Sequence, residues 1–93
     1  MVLEVAILNI KEGMTKEFEV SFRSASKIIA SARGYMGHEL KKCIERENQY
    51  ILLVNWKKLE DHEIGFRESE EYQKWKKLLH HYYNPFPEVL HYE

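Results

Sequence analysis

Two segments of this 93-residue chain carry apolar residues on both faces of an extended backbone, and this double-sided pattern constrains the fold most. Val2 to Ile10 is rich in aliphatic and β-branched residues and runs into Lys11-Glu12-Gly13, the pattern of a buried strand entering a turn. Gln49 to Trp56 puts Tyr50, Leu52, Val54 and Trp56 on one face and Ile51 and Leu53 on the other, because side chains alternate along a strand. A sheet built from such strands needs a cover on each side. A chain of this size buries roughly 60 to 65% of its unfolded surface, which supports one domain with one layer of helices. Nothing remains for the second side, so a second copy of the chain, a homodimer, is the expected cover.

The intervening segments fit that picture. From Lys16 to about Ala32, Phe18, Phe22, Ala25 and Ile29 recur at helical spacing, with Ile28 and Ala32 widening the stripe and Thr15 placed to cap the start. Gly34 lies just past the end, where helices commonly stop in the left-handed conformation. Tyr35 to Glu45 reads as a strand with Met36, His38, Leu40 and Ile44 on one face, joined by a turn at Arg46-Glu47-Asn48 to the strand at Gln49. Leu59 to Arg67 reads as a short helix with Leu59, His62 and Phe66 on one side. Ser69 is an N-cap for the next helix, whose Glu70 and Glu71 favour its positive end and whose Tyr72, Trp75, Leu79 and Tyr82 face inward. Asn84-Pro85-Phe86-Pro87 breaks that helix and leaves Val89 to Tyr92 as a last strand. The order β-α-β-β-α-β predicts a single α+β domain over residues 1–93, with a ferredoxin-like four-stranded antiparallel sheet and helices on one face.

Charge and cysteine content narrow the partners. With 14 Lys and Arg against 15 Asp and Glu, the formal charge of −1 lacks the basic excess that binds a phosphate backbone, so no nucleic acid is expected. Cys43 is the only cysteine, which excludes an internal disulfide and fits a reducing compartment. The opening residues have no basic leader, and their apolar stretch is shorter than a membrane span; a cytoplasmic chain with no membrane partner is expected.

The residues that could carry chemistry are aromatic and imidazole. The five histidines form no HxxxH or HExxH pair, no CxxC exists, and adjacent His80 and His81 point about 100° apart on a helix, so no metal site is expected. His38, among apolar neighbours on its strand, is a candidate proton acceptor in a dry pocket; the plain alternative is a hydrogen-bonded core histidine. His62 shares a helix face with Phe66 and is the second candidate, against a capping or solvent-edge role. Trp56, Tyr72, Trp75, Tyr82, Tyr83 and Phe86 supply an aromatic density suited to a flat ring-shaped ligand, although helical spacing of Tyr72, Trp75 and Leu79 also describes ordinary core. No Gly-rich phosphate loop, nucleophile elbow or dinucleotide fingerprint is present, and no cofactor is expected.

Asn55-Trp56-Lys57-Lys58-Leu59-Glu60-Asp61-His62, then Gly65-Phe66-Arg67-Glu68-Ser69-Glu70-Glu71-Tyr72, Trp75, and the ending Pro85-Phe86-Pro87-Glu88-Val89-Leu90-His91-Tyr92 resemble the antibiotic-biosynthesis-monooxygenase family over essentially the whole chain. The resemblance implies a dimer whose two sheets form a β-barrel, with a pocket in each subunit between sheet and helices. It also implies oxidation of phenols or quinols by dioxygen without a prosthetic group, or, in another branch, haem degradation. Relatives often carry His-Leu-x-Ser-x-x-Phe on the short helix; here Phe66 stands at the histidine position and His62 lies one turn earlier. The haem-degrading branch has asparagine, tryptophan and histidine where this chain has Ala6, Phe66 and Lys76, so haem degradation is not expected.

The expected function is therefore a cofactor-independent monooxygenase acting on an aromatic phenol or quinol. His38 and His62 are the candidate bases, and Asn55, Trp56, Phe66, Tyr72 and Trp75 the substrate-binding residues, with Asn55 depending on which way its strand face opens. The competing reading is a non-catalytic dimeric barrel that binds a small molecule without turnover.

Overall fold

The two doubly apolar segments occupy the middle of the sheet. In the computed structural model, which describes all 93 residues, β1 (Val2–Asn9) pairs antiparallel with β3 (Gln49–Trp56), Ala6 opposite Leu52 and Glu4 opposite Val54. β2 (Tyr35–Lys42) flanks β3 and β4 (Val89–Tyr92) flanks β1, giving one four-stranded antiparallel sheet in the order β2-β3-β1-β4. The connections follow the ferredoxin-like α+β pattern, with α1 (Thr15–Ala30) and α2 (Glu70–Leu79) on one face.

Alternation along the strands decides what each face does. Ala6, Leu8, Ile10, Tyr50, Leu52, Val54 and Trp56 point toward the helices and are buried against Phe18, Phe22, Ala25 and Ile29 of α1 and Trp75 and Leu79 of α2. Each large side chain removed from water in this way contributes about 1.5–3 kcal/mol. On the far face Leu3, Val5, Ile51 and Leu53 are only half-buried, Ile7, Leu90 and Tyr92 are exposed, and no element of the chain lies over them.

Three local readings need correction. β2 ends at Lys42 rather than Glu45, so Ile44 lies in the turn, 94% exposed. Tyr35 and Gly37 pair with consecutive residues Trp56 and Asn55, which leaves Met36 as the extra residue of a bulge. The bulge puts Tyr35, rather than Met36, on the helix side with His38 and Leu40, and Met36 is 56% exposed. Thr15 does not cap α1, because the N-cap position belongs to Met14 and carries no side-chain hydrogen bond.

Between β3 and α2 the expected short helix is a wide π-helical turn, Asp61–Phe66, closed by the Arg67 N–H donating to the His62 carbonyl at 3.1 Å. Its start is fastened to Gly34: the Lys57 N–H donates to the Gly34 carbonyl at 2.8 Å, and the Lys58 N–H donates to Asp61 Oδ2 at 3.2 Å. Gly34 has φ +82°, and a Cβ there would lie 2.1 Å from that carboxylate oxygen, so only glycine fits. Ser69 caps α2 as its position implies, Oγ accepting the Tyr72 N–H at 3.1 Å. After α2 a 3-10 turn, His80–Tyr82, leads into a segment that pairs with the end of β1, Asn84 N–H donating to the Asn9 carbonyl at 2.8 Å. That pairing carries Tyr83, Phe86 and Pro87 over the sheet beside β1 and β4.

Candidate active site

A carboxylate stands among the inward-facing residues of β1. Glu4 precedes Ala6, Leu8 and Ile10 on the same face and is 5% exposed. A buried carboxyl needs partners, and Glu4 has two: Trp56 Nε1–H donates to its Oε1 at 2.9 Å, and His62 Nε2 stands 3.4 Å from the same oxygen. The π-helical turn delivers His62 to this position, where its ring stacks on the Trp56 indole at 5.2 Å and 16°. His62 is 4% exposed, and its Nδ1 lies 2.8 Å from His91 Nε2, on β4. His91 Nδ1 in turn lies 3.9 Å from Oε1 of Glu63, at the surface.

Glu4 and His62 form the polar floor of a cavity of about 70 Å³ between the sheet and α2. Phe66, Tyr72 and Trp75 are its aromatic wall; Arg67, His80, Tyr83, Phe86 and Pro87 surround it toward solvent. Burial dominates the electrostatics. It raises the Glu4 carboxyl above the ordinary carboxylate range, against the smaller opposing effects of the Trp56 hydrogen bond and the Arg67 charge. It lowers His62 to about 3, with the charges of Arg67 and His91 acting in the same direction. The contact between them is therefore a carboxyl beside a neutral imidazole rather than an ion pair. Burial and the nearby Glu4 charge raise the Tyr83 phenol, while burial and Lys76 lower His80.

Of the residues singled out in the sequence, His62, Phe66, Tyr72 and Trp75 meet at this cavity. Trp56 is fully buried and stands behind Glu4 and His62, holding both, rather than forming the wall. His38 lies outside the cavity, its Nδ1 2.5 Å from the Tyr35 hydroxyl and its ring against Phe22. Asn55 alternates with buried Val54 and Trp56 and so faces the far side of the sheet, away from the pocket; the strand register decides that condition against it. Ala6 and Phe66 lie at the cavity without a polar group to offer, and Lys76 is exposed. His62 and His91 face each other instead of converging on a point, and no cluster of three or more His, Cys, Asp or Glu could hold a metal ion.

Glu4, Arg67 and His91 were not expected at the site. Glu4 could have been found: it is the single charged residue within Val2–Ile10, and alternation places it in phase with Ala6 and Leu8. No local signal marked His91, whose role depends on β4 docking beside β1.

The family model for antibiotic biosynthesis monooxygenase matches residues 1–78. Uncharacterized protein YczJ of Bacillus subtilis strain 168 is 55% identical over 93 residues, 100% of this chain and 98% of that protein. The crystal structure of a candidate antibiotic biosynthesis monooxygenase from Bordetella bronchiseptica superposes with a TM-score of 0.94 at 30% identity, covering 99% of this chain and 94% of that one. SnoaB, a cofactor-independent oxygenase from Streptomyces nogalater, shares the fold with a TM-score of 0.82 at 19% identity, covering 99% and 90% of the two chains.

Proposed function

As the chain belongs to the antibiotic biosynthesis monooxygenase family, we propose that it is a cytoplasmic, cofactor-independent oxygenase that oxidises an electron-rich phenol or quinol with dioxygen. The observation that carries this reading is Glu4, a carboxyl with a raised pKa on the floor of a mostly apolar, aromatic-walled cavity. A buried carboxylate of raised pKa is a stronger base than an ordinary one, and it takes the phenolic proton. In this reading His62, held neutral, orients Glu4 rather than acting as the base, and His38 does not line the cavity. The resulting phenolate gives electrons to dioxygen directly, with the substrate supplying all four; one oxygen atom enters the product and the other leaves as water. Arg67 places a positive charge beside the developing anion, and the aromatic wall orients the ring and excludes water.

The cavity is smaller than the roughly 150 Å³ that accommodates benzene. Seating a ring therefore requires the lining to give way, and the cavity borders solvent on the side of exposed Phe86. The uncovered far face of the sheet supports a homodimer, in which a second copy buries Leu3, Val5, Ile51 and Leu53.

The test is oxygen uptake with a panel of hydroquinones and phenols, set beside the thermal shift each compound causes. Uptake should accompany stabilisation, and Glu4→Gln should lower kcat by about 10²-fold or more. Compounds that raise Tm without consuming oxygen would establish a binding module and overturn the oxygenase reading.

A further inference from the structure

The geometry points to a proton path from the cavity to the protein surface along Glu4, His62, His91 and Glu63, through which Glu4 is loaded and unloaded while substrate fills the cavity. It rests on the reading of Glu4 as the group that exchanges a proton with substrate. The need for it arises from burial: Glu4 is 5% exposed at the floor of the cavity, and a substrate lying over it would separate it from bulk water. The row supplies the connection: His62 and His91 are hydrogen-bonded at 2.8 Å, while the gaps of 3.4 Å from Glu4 and 3.9 Å to Glu63, its last member and at the surface, need a small side-chain shift or a bridging water to carry a proton. Each imidazole offers one nitrogen to each neighbour, as a relay requires.

Two proton arrangements satisfy the row. In the first, Glu4 is a carboxylate accepting from His62 Nε2–H, His62 Nδ1 accepts from His91 Nε2–H, and His91 Nδ1 is bare. In the second, the Glu4 carboxyl donates to His62 Nε2, His62 Nδ1–H donates to His91 Nε2, and His91 Nδ1–H faces Glu63. Passing from the second to the first moves a proton one link outward at every step and releases one at Glu63 or to water; the reverse delivers one to Glu4. No electrons move. Burial keeps His62 from storing the proton as a cation, which suits a group that passes protons on. The charged and titratable groups facing the row are Arg67 beside Glu4 and His62, Tyr83 near Glu4, and Glu63 beside His91.

Both arrangements give the two rings the same tautomer, and that is measurable without a substrate. Imidazole ¹⁵N shifts of the ligand-free protein at about pH 7.5 should show His62 and His91 both as Nε2–H or both as Nδ1–H. Glu4→Leu should change the nitrogen shifts of both rings while the amide spectrum reports an intact fold. Opposite tautomers, or a His91 ring indifferent to Glu4→Leu, would overturn the path. Should Glu4→Leu fail to fold, His91→Phe at the half-buried sheet edge replaces it, and an unchanged His62 ring is then the refuting result. With an active substrate, His91→Phe should lower kcat about tenfold or more, with recovery on adding imidazole. An undiminished kcat, or a loss that imidazole does not restore, also refutes it. The ¹⁵N measurement stands whether or not oxygenase activity is found, so the two readings fail separately.

Discussion

Replacing His62 with phenylalanine keeps a flat ring against the Trp56 indole and removes an imidazole that burial holds neutral. The native ring titrates near 3 and the unfolded one near 6.5, so between these values the unfolded chain binds more protons. Stability from this group is complete above pH 6.5 and is lost as pH falls; between pH 7.5 and 5 the loss amounts to about 2 kcal/mol. Glu4 acts in the opposite sense. Its carboxyl is raised in the folded state, so the folded chain binds that proton more tightly and stability is gained as pH falls through its native pKa toward 4.5. The cleanest comparison therefore sets Glu4→Leu against the double variant Glu4→Leu/His62→Phe. Urea unfolding followed by tryptophan fluorescence, at one fixed protein concentration because association couples to stability, should show the single variant losing about 2 kcal/mol more than the double variant between pH 7.5 and 5. The lowered His80 contributes to both and cancels. Equal losses would show that His62 is not held neutral, and the electrostatic description of the floor would fall with it.

Gly34→Ala should lose about 2 kcal/mol or more in urea unfolding, because φ is +82° and the new methyl meets the Asp61 carboxylate; adding Asp61→Ala should restore part of it, and a neutral Gly34→Ala refutes the account. Trp56→Phe removes the N–H that lowers Glu4, so ¹³C-carboxyl titration should find Glu4 at a higher pKa and unfolding should report a loss of about 1.5–3 kcal/mol; an unmoved Glu4 refutes it. Leu53→Lys on the uncovered sheet face should convert a dimer into monomers in sedimentation velocity, and a variant that remains dimeric places the interface elsewhere.

The helices, strands and their order are legible because hydrophobic period is a local property: Phe18, Phe22, Ala25 and Ile29 mark one face of α1, and Tyr50 through Trp56 alternate, whatever surrounds them. The bulge at Met36 is not local. Strict alternation put Met36 inward, and the step in register against Trp56 and Asn55 turned it out. The site follows the same division. His62, Phe66, Tyr72 and Trp75 come together at the cavity because they lie on one side of successive helical turns. Glu4 does not stand out from the apolar content of its strand, although alternation puts it in phase with Ala6 and Leu8. His38 stays outside the cavity because an inward strand position reaches only the part of the core under its own strand, and two strands separate β2 from β4. The His62–His91 contact joins residues 29 positions apart, through a strand pairing that no local pattern encodes.

An open sheet has two flanks as well as two faces, and each flank of this one presents unpaired backbone N–H and C=O groups that could template another strand. β2, on one flank, is interrupted by the bulge at Met36 and ends in exposed Lys41 and Lys42; β4, on the other, is only four residues long. Kinks, lysines and short length each deny a foreign strand the straight, uncharged run that edge-to-edge addition requires. Edge-to-edge ribbon growth, which has no natural end, is thereby opposed at both flanks, whatever covers the far face of the sheet.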